Sequence, residues 1–180
     1  MAADMKTQIA EAVNILLLNK RVKRLTVKDI VEMCHITRQT FYYHFEDIPS
    51  LLYWMLDCNT ETMLKECVEQ KNPEQGLKYL FLISINIRPF MEAGMHTNYK
   101  EELEKIVTQL LYSFCECIVE RKGFYMDCSR RELDIILRYH SQAVLGMLKN
   151  WTPKDTENLD QIVHTIYQIH IGKNGPYEIE

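Results

Sequence analysis

Between Met5 and Phe45 the apolar residues recur at intervals of three and four, and the pattern restarts twice behind a threonine that can cap a helix. Ile9, Ala12, Val13, Leu16 and Leu17 fall at i, i+3, i+4, i+7 and i+8, which predicts one buried stripe on a helix over about Met5 to Asn19. Thr26 precedes a second stripe, Val27, Ile30, Val31 and Cys34, with Lys28, Asp29 and Glu32 left outside. Asp29 stands at the capping-box position, where Glu or Gln is more usual. His35 and Ile36 allow only a tight turn before Thr37, the expected cap of a third helix from Arg38 to Phe45. Three short helices with facing stripes are what this pattern can build.

The same punctuation continues to the end of the chain. It predicts a long helix from Ile48 or Pro49 to Gln70, and another from Pro73 to Arg88 that Pro89 ends or kinks. A short apolar segment, Phe90 to Met95, follows. Thr97 or Asn98 opens a helix to Lys122, with Gly123 as its cap. Ser129 and Glu132 form a capping box ahead of a helix from Arg130 to Asn150, and Thr152-Pro153 opens a last helix to Ile171, with Gly172 after it. Lys173 to Glu180 is expected to fray. Strand alternation and internal repeats are missing, and Gly and Pro number only 6 and 5 in 180 residues. The expected fold class is all-α, with eight or nine helices in two domains: a three-helix module over residues 1–50 and a helical body over residues 51–180.

The third helix carries the chemistry. Phe41 and Phe45 are four apart and share a face; at about 100° per residue, Gln39, Thr40 and Tyr43 point away from it. Tyr42 and His44 lie on the flanks, and Arg38 can reach outward from the helix start. Two short helices joined by a tight turn, with one face free, follow the plan of a helix-turn-helix unit whose second helix enters the DNA major groove. Gln reads adenine and Arg reads guanine through paired hydrogen bonds, while Tyr and Thr hydroxyls bond phosphates. Lys28 and the Thr26 end of the second helix can add backbone contacts. For Tyr42, geometry alone leaves DNA contact and core packing equally open. The basic turn Lys20 to Arg24 is open between a solvated loop and a phosphate contact.

A net charge of −4 looks unsuited to a DNA binder, but it is unevenly placed. Residues 1–50 hold seven basic and six acidic residues, net +1; residues 51–180 hold 14 and 19, net −5. The acidity belongs to the body, so the whole-chain sign does not decide the partner.

Other function classes find little support. The longest apolar stretches fall well short of the roughly 20 residues of a membrane span. The six cysteines, Cys34, Cys58, Cys67, Cys115, Cys117 and Cys128, mostly fall within helical patterns and form no Cys-x-x-Cys pair, as expected of reduced thiols in a cytoplasmic protein. Cys115 and Cys117 point to different sides of a helix, which argues against a metal or redox pair. His96, His140, His164 and His170 lack metal-ligand spacing. No activated serine, supported Cys–His pair or Gly-rich phosphate loop appears. No enzymatic activity, metal or cofactor is expected.

The stretch Leu25 to Leu52 resembles the tetracycline-repressor (TetR/AcrR) family of bacterial regulators through Thr26-Val27, Ile30, Ile36-Thr37 and Thr40-Phe41-Tyr42-Tyr43-His44-Phe45. The resemblance is strong over about residues 5–56; beyond, it lies mainly in layout, with Val144 through Gly146 to Trp151 and Pro153 similar to the junction of the family's last helix pair. It implies a homodimer on a palindromic operator in double-stranded DNA, with Arg38, Gln39, Thr40, Tyr42, Tyr43 and His44 facing DNA and Lys28 and Thr37 assisting. It also implies an effector domain, and a reading as a repressor that the effector releases; the effector can be a small molecule or a protein partner. Arg38 to Ile48 further resembles a subgroup that includes activators of dihydroxyacetone-kinase operons, where a protein partner can be sensed. Two departures stand out. The turn residue, usually Gly in this family, is His35, so the turn is expected to differ slightly; and Ile48 stands where a phosphate-binding Lys is frequent.

The helix from Arg130 to Asn150 has one apolar face of Leu133, Ile136, Leu137, His140, Val144, Met147 and Leu148. A second patch, Ile135, Tyr139 and Gly146 with Ala143 beside it, exceeds what packing within one chain requires. With Leu159, Ile162, Val163, Ile166 and Ile169 of the last helix it forms the expected dimer surface, a four-helix contact that is also the family's arrangement. Some of Trp54, Tyr79, Phe81, Phe90, Tyr112, Phe114 and Tyr139 are expected to line an effector cavity.

Overall fold

The structure, a computed structural model, describes residues 2–58, 60–70 and 72–170. Among them every regular element is helical and none is a strand. The expected helix end at Ile171, Gly172 and the tail Lys173 to Glu180 lie outside the described residues.

Two compact units are present: Met1–Thr60 with Ile87–Leu110, and Glu61–Asn86 with Leu111–Glu180. The first unit opens with α1, Ala2–Asn14, which runs into a π-helical turn, Ile15–Asn19. There the Lys20 N–H reaches the Ile15 carbonyl at 3.0 Å. This wider turn places Leu16 and Leu17 in the core and leaves Ile15 and Leu18 partly in solvent. α2 (Val27–Cys34) and α3 (Arg38–His44) follow, then α4 (Ile48–Asp57). Ile9, Val13, Leu17, Leu25, Ile30 and Phe41 are almost wholly buried together, and Leu51 and Leu103 close the same core. The Lys6 ammonium lies over the rings of Phe45 and Trp54, 5.2 and 5.7 Å from their centroids, a cation–π contact that ties α1 to α3 and α4.

The helix expected from Ile48 to Gln70 is two helices: α4 ends at Asp57 and α5 runs Thr60–Glu69. Cys58, the cap of α4, and Thr60, the start of α5, are both poor helix formers, and no Pro or Gly stands at the change. Asp47 and Ser50 form a capping box at the start of α4, each side chain bonding the other's backbone N–H. Pro89 neither ends α6 nor separates Phe90 to Met95 from it; α6 runs Pro73–Met95 with Pro89 inside. Pro89 itself is exposed, while Phe90 is buried and Gly94 packs so closely on Leu103 that a Cβ at Gly94 would run into its Cδ2. That packing favours continuation over the break a proline otherwise imposes.

α7 spans Lys100–Lys122 and ends at Gly123, whose φ is +66°. α8, Arg130–Lys149, begins at the expected Ser129–Glu132 capping box. The last predicted helix is also divided, into α9 (Pro153–Glu157) and α10 (Leu159–His170). Asn158 stands between them: its side-chain amide donates to the Lys154 carbonyl at 2.7 Å, and its own carbonyl accepts from Ile162. Such local side-chain bonding competes with a continuous helix. In the second unit Phe81, Trp151, Leu159 and Val163 form a buried cluster, and the Trp151 indole N–H donates to Thr156 Oγ1 at 2.9 Å.

Candidate functional site

α2 and α3 are held by complementary ends. Thr26 Oγ1 accepts the Asp29 N–H at 3.2 Å and donates to the Asp29 carboxylate at 2.6 Å. At the other end His35 takes the left-handed conformation, φ 54° and ψ 41°. The His35 N–H bonds the Glu32 carbonyl and the Ile36 N–H bonds the Val31 carbonyl at 3.0 Å, closing a Schellman turn. The absence of Gly has therefore not removed the left-handed turn; His35 adopts that conformation itself, and Ile36, partly buried, packs against the core cluster that includes Val31. Thr37 Oγ1 then accepts the Thr40 N–H at 3.1 Å, and the two hydroxyls lie 2.9 Å apart.

The turn leaves α3 with two different faces. Phe41 is 0% and Phe45 5% exposed, whereas Tyr42 is 55% and Tyr43 83% exposed. Arg38 and Gln39 are exposed beside Tyr42 and Tyr43; Thr40 and His44 are half-buried. Tyr42 stands edge-on to Phe41 at 5.4 Å and Tyr43 edge-on to His44 at 5.0 Å, so the tyrosines are oriented by their neighbours and still reach solvent. Lys28 is exposed in a 3.7 Å pair with Glu32, too weak a surface pair to fix it. Lys20, Arg21, Lys23 and Arg24 are all exposed, with Arg21 at φ 49°. Ile48 is buried at the start of α4, where it serves packing.

The second unit contains a cavity of about 620 Å³. Leu80, Phe81, Val119, Leu137 and Val144 are among its apolar lining residues, and Cys67, Gln70, Cys115, Lys122, Tyr125, His140 and Tyr167 are among those with polar side-chain atoms. Burial pushes the Cys67 thiol up to about 11, against the pull of the Lys122 charge, and the Cys115 thiol likewise to about 11. Both stay protonated at neutral pH. Among the described residues no three His, Cys, Asp or Glu side chains gather as metal ligands, and no helix is long and apolar enough to cross a membrane.

Residues 71–172, more than half of the chain, match a TetR-type family described as the transcriptional regulator C-terminal region. The chain belongs to the TetR family of transcriptional regulators. It is also similar to two proteins of Pseudomonas putida, the HTH-type transcriptional regulator TtgR and the probable HTH-type transcriptional regulator ArpR. Each is 24% identical over 131 residues, covering 72% of this chain and 62% of the relative. The chain thus aligns with less than two thirds of these relatives' length.

In this TetR-family chain the residues expected at a dimer surface divide into two groups. Ile135 (51% exposed), Tyr139 (66%), Ala143 and Gly146 lie open along α8, and a Cβ at Gly146 would meet nothing within 4 Å. Ile169 is half exposed, but Leu159 and Val163 are buried within the chain's own Phe81–Trp151 cluster, and Ile162 and Ile166 pack against it. Tyr139, Ala143, Ile166 and Ile169 also line the cavity. Of the aromatics weighed for that role, Phe81 and Tyr139 line it. Sequence reading missed Lys122, Tyr125 and Tyr167. The nearest signal was Gly123, since a left-handed cap there sends Phe124 and Tyr125 out of helical register.

Proposed function

We propose that this chain is a sequence-specific DNA-binding regulator, acting as a homodimer on a palindromic operator and working as a repressor that an effector releases. Residues 1–50 read DNA, and residues 51–180 bind effector and partner subunit. The observation that carries this is the divided α3: Phe41 and Phe45 are buried while Arg38, Gln39, Tyr42 and Tyr43 stand in solvent. An exposed surface of one arginine, one amide and two tyrosines wastes apolar area in water and suits base edges and phosphates. Thr37, Thr40, His44, Lys28 and Thr26 support it, the two threonine caps chiefly by fixing the helix ends.

The exposed strip Ile135–Tyr139–Ala143–Gly146 is the proposed centre of the dimer contact. Small residues there allow a second helix to approach closely. Two recognition helices must then sit about 34–36 Å apart, or a multiple of that, to enter successive major grooves. Effector binding alters that spacing and releases the operator. The 620 Å³ cavity, within the usual range for ligand sites, supports a small-molecule effector over a protein partner. No catalytic role is assigned. Gel shift with DNA from upstream of its own gene cluster tests the proposal: selective, salt-sensitive retardation supports it, and no selective retardation rejects it.

A further inference from the structure

We propose that the cavity of the second unit takes an apolar monoanion, a molecule with a hydrocarbon or aromatic body and one carboxylate-type end seated against Lys122. This rests on reading that unit as the effector domain, and it specifies the chemistry of the effector.

The charge around the cavity is one-sided. Among the described residues Lys122 and His140 line it, and no Asp or Glu does. Lys122 is half-buried at the end of α7, and its ammonium donates to the Gln70 carbonyl at 3.0 Å. That bond uses one of three donors. Among the described residues Lys122 has no carboxylate partner. Its field is felt at Cys67, where it pulls the thiol downward against the effect of burial. The thiols do not answer it, because Cys67 and Cys115, both held up at about 11, stay neutral. The Tyr125 phenol, also pushed up by burial, is a neutral donor as well.

A half-buried cation with no counter-charge beside an apolar wall attracts an anion that can leave water together with an apolar body. Leu80, Phe81, Val119, Leu137 and Val144 would receive that body. The same arrangement opposes a cationic ligand, which would bring a second positive charge to Lys122 without a carboxylate to balance it.

Titration calorimetry on the full chain with three probes of one body, decanoate, decan-1-ol and decylammonium, separates these cases. Decanoate is expected to bind roughly tenfold or more tightly than decanol, the size of a charge-assisted hydrogen bond. Decylammonium is expected to bind most weakly. Lys122→Arg keeps the preference, and Lys122→Met removes decanoate's advantage over decanol. Decylammonium binding as well as decanoate, an advantage that survives in Lys122→Met, or no binding of any probe overturns the proposal. The ranking on the unaltered protein is decisive even if Lys122→Met does not fold. Gel shift separates this from the regulatory reading: decanoate bound without DNA binding leaves this inference standing and rejects that reading, and DNA binding with no probe bound does the reverse.

Discussion

Asn98 Oδ1 accepts the backbone N–H of Leu25 at 2.8 Å across 73 residues of chain. Leu25 is 1% exposed, so its N–H has little access to water as a substitute. The bond ties the approach to α2 to the segment that leads into α7, both within the first unit. Asn98→Ala is expected to lower stability by about 1–2 kcal/mol, the cost of leaving a buried donor unpaired. Asn98→Asp, which keeps the acceptor, should lose less. Urea unfolding of both variants measures this; equal losses would show that the bond itself does not matter.

His35 carries a Cβ at φ 54°, a region uncommon for any residue but Gly, although His, like Asn and Asp, enters it more readily than most. His35→Gly should relieve that strain. A gain of about 0.5–1 kcal/mol is expected after the extra flexibility of Gly in the unfolded chain is set against it. His35→Val should destabilise, because a β-branched side chain fits this conformation poorly. Thermal unfolding of both proteins checks the sign.

Glu132 accepts from the Ser129 hydroxyl and backbone N–H at 2.6 and 2.8 Å, and those bonds hold its carboxyl below the ordinary 4.5. A lowered folded value stabilises the protein above the ordinary value, and that contribution is lost as pH falls through the lower, folded one. The melting temperature of the unaltered protein should therefore keep its lead over Glu132→Gln above the ordinary 4.5 and approach it as pH is lowered from 4.5 through the lower, folded value. A constant gap across that range would contradict the capping role.

Ile135 and Tyr139 are each more than half exposed on α8. Ile135→Asp should leave the helical circular dichroism unchanged and shift sedimentation from dimer to monomer at micromolar concentration. A stable monomer in the unaltered protein would remove the proposed interface.

The first 45 residues were the most legible part of the chain. The stripes of α2 and α3 and their threonine caps are local signals, and α2 has the bounds they imply, Val27–Cys34. Where tertiary packing or side-chain competition decides, local pattern is a poorer guide. Pro89 looks like a terminator, yet Phe90 and Gly94, packed in the first unit's core, carry α6 through it. Asn158 sits in a helical pattern but caps α9 with its own amide. The π turn at Ile15–Asn19 keeps the same apolar residues and changes only their spacing, which periodicity does not resolve. The cavity was legible only as a class of aromatics, since its polar residues come from separate segments of the second unit.

The most direct measurement is fluorescence anisotropy of DNA from upstream of its own gene cluster, titrated with the unaltered protein and with an Arg38→Ala, Tyr43→Ala double variant. Both side chains are exposed, so the variant should melt as the parent does. Its operator affinity should fall at least roughly tenfold, the scale of one lost base contact. With so few cations near α3, the salt slope of the parent should stay well below that of about ten phosphate charges. A double variant that binds as the parent does, or a parent with no preference for that DNA, would contradict the assignment of α3 as the reading helix.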